Sequence, residues 1–148
     1  MSPTLADEPH CLFCKIIRGE IPSALVLEND VAVAFLDIHP VNKGHLLLVP
    51  RVHHADLTAL DESIAAGTAA LLPKLCRAVK LVTHADAFNV IINNGEAAGQ
   101  TIGHGHWHLI PRWKDDPVNW PWPHCQYLGD ELDQMRFAIT QKLNQMSD

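Results

Sequence analysis

Three histidines alternate with other residues in the run Thr101-Ile102-Gly103-His104-Gly105-His106-Trp107-His108-Leu109-Ile110-Pro111-Arg112, and few folds can use such a pattern. Successive side chains of an extended strand point to opposite faces, so the three imidazoles would share one face at spacings of about 6 to 7 Å. Each ring is ionisable and needs a hydrogen-bond partner if it is buried. Histidine is the usual metal ligand and proton shuttle near neutral pH, so the run reads as a site. The competing reading is a solvated strand face.

The chain has 148 residues, 47% of them hydrophobic, which suits one compact domain with its own core. A net charge of −6 gives no broad basic surface, so binding to a nucleic-acid polymer is not expected, whereas a single nucleotide could bind locally. Residues 1–10 contain Pro3, Asp7, Glu8 and Pro9, lack the apolar core of a signal peptide and read as a flexible tail. The longest apolar stretch, Ile64 to Val82, is interrupted by Pro73, Lys74, Arg77 and Lys80, so no membrane span is expected. Together these features predict a cytoplasmic protein. Four scattered cysteines do not make a disulfide framework, and only Cys11 and Cys14 form a pattern.

Turn residues divide the chain into an α+β order. A short helix at Leu12–Arg18 leads to extended runs at Ala24–Glu28 and Val31–Asp37, then to a third at His45–Pro50 after a Pro40-to-Gly44 turn. One main helix should follow, started by a capping-box-like Thr58 and Asp61, with Leu71, Leu75, Val79 and Val82 on one face and a kink or break at Pro73. Phe88–Asn93 reads as a fourth strand. Asn94 to Gly99 reads as a glycine-containing loop, a candidate phosphate cradle, that delivers the chain to the histidine strand. From Asp130 onward, Leu132, Met135, Ile139, Leu143 and Met146 form the stripe of a C-terminal helix.

With these elements in place, the sequence resembles the histidine-triad (HIT) family of nucleotide-binding proteins, whose signature alternates histidine with apolar residues. The resemblance spans roughly residues 11 to 112. It rests on Cys11-Leu12-Phe13-Cys14-Lys15-Ile16-Ile17, Gly19-Glu20-Ile21-Pro22, Phe35-Leu36-Asp37-Ile38, Pro40, Gly44-His45, Val49-Pro50, Asn93, Gly99-Gln100-Thr101 and Pro111-Arg112, in that order. Gly105 departs from it, standing where the signature has an apolar residue, and should face away from the imidazoles and loosen the strand. The implied fold is an antiparallel sheet with one main helix between strands and a C-terminal helix. A single domain would cover residues 11–148, with an extension from about 113.

The resemblance implies a nucleotide hydrolase or nucleotidyl transferase that cleaves at the α-phosphorus of nucleoside phosphoramidates or dinucleoside polyphosphates. His106 would attack to give a covalent nucleotidyl-histidine, with His108 and His45 around the phosphate. Asn93, Gly99, Gln100 and Thr101 would add donors, and Asp37 would accept from the ribose hydroxyls. Leu12, Phe13, Ile16, Phe35 and Ile38 would form the cleft for a purine base. The motif's absence would make those five ordinary core residues.

Cys11-x-x-Cys14 suits zinc on its own, since two thiolates at this spacing can share one tetrahedral ion. The resemblance adds His53 and His104, with His54 as a substitute for His53, giving a closed, structural Cys2His2 set. His124 and Cys125 are weaker alternatives in a tryptophan–proline loop. His10, His39 and His84 read as surface residues and Cys76 as packed in the helix. Trp113, Trp120 and Trp122 are candidates to cover the cleft, with loop packing as the default. Two other readings stay open: a three-histidine zinc hydrolase, and a nucleotide sensor without turnover. Family members of this size suggest a homodimer.

Overall fold

The computed structural model describes residues 8–119 and 121–146. The tail expected over 1–10 therefore lies mostly outside the described residues, although the Glu8 carbonyl accepts the Cys11 N–H at 3.2 Å. The elements run α1 (Leu12–Ile17), β1 (Leu25–Glu28), β2 (Ala32–Leu36), β3 (Leu46–Pro50), α2 (Glu62–Ala69), α3 (Leu72–Thr83), β4 (Ala87–Ile92), β5 (Trp107–Arg112) and α4 (Glu131–Gln145). Five antiparallel strands lie in the order β1-β2-β3-β5-β4, so the α+β architecture expected from the sequence is the one observed.

The period of two along the strands sorts their side chains between two layers. Ala32, Ala34 and Leu36 of β2, Leu46 and Leu48 of β3, and Trp107 and Leu109 of β5 pack with Leu75, Ala78 and Val79 of α3 and with Ile139 and Leu143 of α4. Val33, Phe35, Leu47 and Val49 take the opposite face, where they meet Cys11, Phe13 and Cys14 around α1. Leu47 pairs with His108 in the β3–β5 register, so this second face carries the imidazole. A strand that is buried on both faces reads as a continuous apolar run, which accounts for Leu46–Pro50.

The break expected at Pro73 is present: α2 ends at Ala69 and α3 begins at Leu72, with Pro73 in its first turn, where a missing N–H costs nothing. Two local expectations change. Thr58 does not cap the first of these helices. Asp61 caps α2 through the Ser63 N–H, while Asp56 caps a separate 3-10 turn at Leu57–Ala59 through the Thr58 N–H. The histidine strand is also shorter than its alternation suggests, because β5 starts at Trp107 and leaves His104, Gly105 and His106 in irregular chain.

Gly44 makes the turn into β3 possible. Its φ of +103° favours glycine, and a Cβ there would sit 2.8 Å from Thr83 Cγ2. Pro111, unusual inside a sheet, lies beyond the stretch of β5 that pairs with β3, and its carbonyl accepts from Asn42 Nδ2 at 2.8 Å.

Candidate functional site

Two centres flank the start of β5. The first gathers Cys11, Cys14, His53 and His104, whose ligand atoms all lie within 4.8 Å of one another. His104 Nδ1 stands 3.5 Å from Cys11 Sγ, 3.6 Å from Cys14 Sγ and 3.3 Å from His53 Nδ1. Cys14 Sγ lies 3.4 Å from His53 Nδ1. His104 Nε2–H donates to the Pro50 carbonyl at 2.8 Å, so its Nδ1 lone pair faces the thiols.

A tetrahedral zinc ion with ordinary bond lengths sets N···N separations of about 3.3 Å and S···N separations of about 3.6 Å, so this donor set fits the ion. The backbone partner on the far nitrogen is the usual means of orienting a metal-bound imidazole. Burial pushes the Cys14 thiol up to about 11 and His104 down to about 4, and a cation between them would reverse the first of these effects. His54 is not part of the set. Its Nδ1–H is spent on the Val52 carbonyl at 2.9 Å, and the His53 ring takes the place at the cysteines. His124 and Cys125 are likewise elsewhere, with His124 Nδ1–H on the His39 carbonyl and Cys125 N–H on the Pro40 carbonyl, both at 2.8 Å.

The second centre is a cleft of about 580 Å³, within the range for small-molecule sites. Leu12, Phe13, Ile16, Phe35 and Ile38 line it, with Asp37, Thr101, His106 and His108. Ile38 stays 60% exposed, which makes it a cleft wall rather than a core residue. Phe13 meets His106 edge-on, with ring centroids 5.0 Å apart, and meets Phe35 at 5.4 Å.

Hydrogen bonds fix which nitrogen each ring offers. His106 Nδ1–H donates to the His104 carbonyl at 2.8 Å, which leaves the Nε2 lone pair free. The Val41 N–H donates to His45 Nδ1 at 3.1 Å, so the remaining His45 proton sits on Nε2 and is donated to His108 Nδ1 at 2.9 Å. His108 therefore keeps its own proton on Nε2. Burial lowers the pKa of His106 and takes His45 and His108 to about 3, so all three are neutral at pH 7.

His45, expected beside the phosphate, is only 1% exposed and does not line the cleft. It holds His108 from behind. Asn93, Gly99 and Gln100 do not line it either. The Gln100 amide is consumed in bracing the loop, accepting the Gly95 N–H at 2.7 Å and donating to the Ala55 and Ile102 carbonyls at 2.8 and 2.9 Å. Of the 93–101 loop, Thr101 alone reaches the cleft wall. The three triad imidazoles do not converge on one point either. His104 turns to the cysteines, His106 to its own backbone and His108 to His45, which removes the three-histidine zinc site.

Sequence reasoning missed His39 and His124 as residues that line the cleft. It left Trp122 as a cover candidate, and that ring packs edge-on to His108 with centroids 5.2 Å apart. Trp113 lies at the start of the extension, with its N–H on Asp116 Oδ2 at 3.0 Å, and Trp120 lies outside the described residues.

Residues 18–115 match the family model described as the HIT domain. The chain belongs to the HIT domain family. It is 41% identical to an adenylylsulfatase of Arabidopsis thaliana over 98% of its own length and 68% of the plant protein. It is 35% identical to the adenosine 5'-monophosphoramidase of Saccharomyces cerevisiae, covering 97% of this chain and 89% of the yeast protein. A zinc-bound histidine-triad family protein of Mycobacterium smegmatis superposes with a TM-score of 0.82 at 33% identity, covering 92% of this chain and 94% of the other. Among the described residues no helix is long and apolar enough to cross a membrane.

Proposed function

We propose that this HIT protein is an adenylyl-transferring hydrolase that cleaves at the α-phosphorus, with adenosine 5'-phosphoramidates as its leading substrate class. The observation that carries the reading is the His106 tautomer. A neutral imidazole whose Nδ1–H is tied to the His104 carbonyl presents its Nε2 lone pair in a cleft of nucleotide size.

In the first step a bond forms between His106 Nε2 and the α-phosphorus, while the bond from phosphorus to the leaving nitrogen breaks and the departing amine takes up a proton from solvent. The imidazole gains positive charge as it attacks, and its Nδ1–H, which stays on the ring, donates a stronger hydrogen bond to the His104 carbonyl. His108 Nε2–H donates to a phosphoryl oxygen, with its tautomer held by His45. In the second step water attacks the same phosphorus, releasing one proton to solvent, and the Nε2–P bond breaks to give the nucleoside monophosphate and neutral His106. Phe13, Ile16, Phe35 and Ile38 hold the base, and Asp37 accepts from the ribose hydroxyls.

Cys11, Cys14, His53 and His104 would hold a structural zinc ion, which supplies a cross-link between α1 and the chain entering β5. The relatives named as a monophosphoramidase and an adenylylsulfatase support the substrate class. A homodimer is the assembly proposed. Its support is the edge strand β4, which leaves Phe88 and Val90 each 40% exposed.

Steady-state turnover of adenosine 5'-phosphoramidate, adenylyl sulfate and a diadenosine polyphosphate tests the proposal. The phosphoramidate should give the largest kcat/KM. Binding of AMP without turnover of any of the three would leave a nucleotide sensor.

A further inference from the structure

Gly105 is the one position in the triad run where an apolar side chain is missing, and the space is occupied. A Cβ there would overlap His54 Nε2 and lie 2.8 Å from Cδ2 of the same ring. His54 is 4% exposed, and its Nε2 has no hydrogen-bond partner. The hydrogen that glycine carries in place of Cβ points toward that lone pair, a weak C–H···N contact. The ring also packs edge-on against His104, with centroids 5.5 Å apart.

The peptide joining His104 to Gly105 is held at both ends. Its N–H donates to the His54 carbonyl at 3.0 Å, and its carbonyl, that of His104, accepts His106 Nδ1–H at 2.8 Å. Rotating this one peptide would break the bond that keeps the proton on His106 Nδ1. The stretch lies outside the strand ladder, so no neighbouring strand holds it. Glycine is the residue least able to hold a conformation alone.

We propose that His54 is a positioning residue for His106: its carbonyl and ring clamp the Gly105 peptide, and the two residues work only as a pair. The proposal rests on His106 being the nucleophile, and its test reads the tautomer separately from turnover. His54→Ala removes the ring and frees the glycine. Gly105→Ala expels the ring. The double variant places a small Cβ where the ring was.

Each single variant should lower kcat at least about tenfold with KM nearly unchanged, since an imidazole misplaced by a fraction of an ångström loses attack rather than binding. The double variant should recover most of that loss. Long-range proton–nitrogen NMR spectra without substrate should show His106 protonated on Nδ1 in the wild type, mixed in both single variants and restored in the double. Should Gly105→Ala not fold, His54→Ala carries the same test alone.

Wild-type tautomer and kcat in His54→Ala, or a double variant no better than the worse single one, would overturn the proposal. If the wild type turned over no adenylyl compound, the functional reading would fail, while the tautomer spectra would still decide whether His54 positions His106.

Discussion

His45 Nε2 donates to His108 Nδ1 across 2.9 Å, and both rings are almost fully buried. The pair is stable only while both rings are neutral. Their folded pKa values of about 3 lie below the unfolded value of 6.5, so the unfolded chain binds more protons as the pH falls between these limits. The linked stability is therefore intact above about pH 6.5 and falls by up to about 1.4 kcal/mol per proton per pH unit below it. Urea midpoints should drop from pH 7 to pH 5, and His108→Asn should drop less steeply; equal slopes would remove this pair as the cause.

The proposed zinc site of Cys11, Cys14, His53 and His104 can be tested by its loss. Cys14→Ala should release bound zinc, measured by atomic emission, and lower the melting temperature by ten degrees or more, on the order of a structural site's contribution. His106→Ala should keep full zinc content. Zinc lost from the second variant and kept in the first would reverse the assignment of the two centres.

Asp37 lines the cleft, and its Oδ1 is held by the His39 N–H at 2.9 Å. Asp37→Ala should weaken binding of a ribonucleoside substrate about tenfold, the cost of one buried charge-assisted hydrogen bond. A 2',3'-dideoxy analogue should show little change. An equal loss for both sugars would place Asp37 elsewhere than on the ribose.

Asp116 anchors the chain that follows β5. It accepts from Arg112, from Asn42 Nδ2 and from the Trp113 and Val118 N–H groups, and the Arg112 guanidinium beside it holds its carboxyl well below the usual range. Asp116→Ala should cost about 1 to 3 kcal/mol in chemical denaturation, because it strands several donors at once. A change within about 0.5 kcal/mol, as at an ordinary surface position, would contradict this role.

Much of the site was legible because its residues announce themselves by type and spacing. Cys11 and Cys14 point to a metal at any location, and the alternation of His104, His106 and His108 marks the segment on which both centres are built. The division of labour among them was not legible, since it depends on which carbonyl or ring lies behind each nitrogen. His45 sits behind His108 rather than in the cleft wall for that reason, and Gln100 is spent on its own loop. The β5 boundary was overread because alternation continues through His104 and Gly105 while the backbone there is tied to His54 instead of to a neighbouring strand. Glycine at position 105 reads from sequence as a loosening of the strand, yet it accommodates the ring of His54, a contact that no local pattern encodes.

Covalent catalysis by this cleft requires a bond between His106 and phosphorus during turnover. Rapid acid quench of the wild-type protein with adenosine 5'-phosphoramidate, followed by peptide mass spectrometry, reads that bond. An adenylyl increment is expected on the peptide carrying His106, formed within the first turnover and absent from His106→Ala. Turnover at the normal rate with no such adduct, or an adduct that persists in His106→Ala, would contradict it.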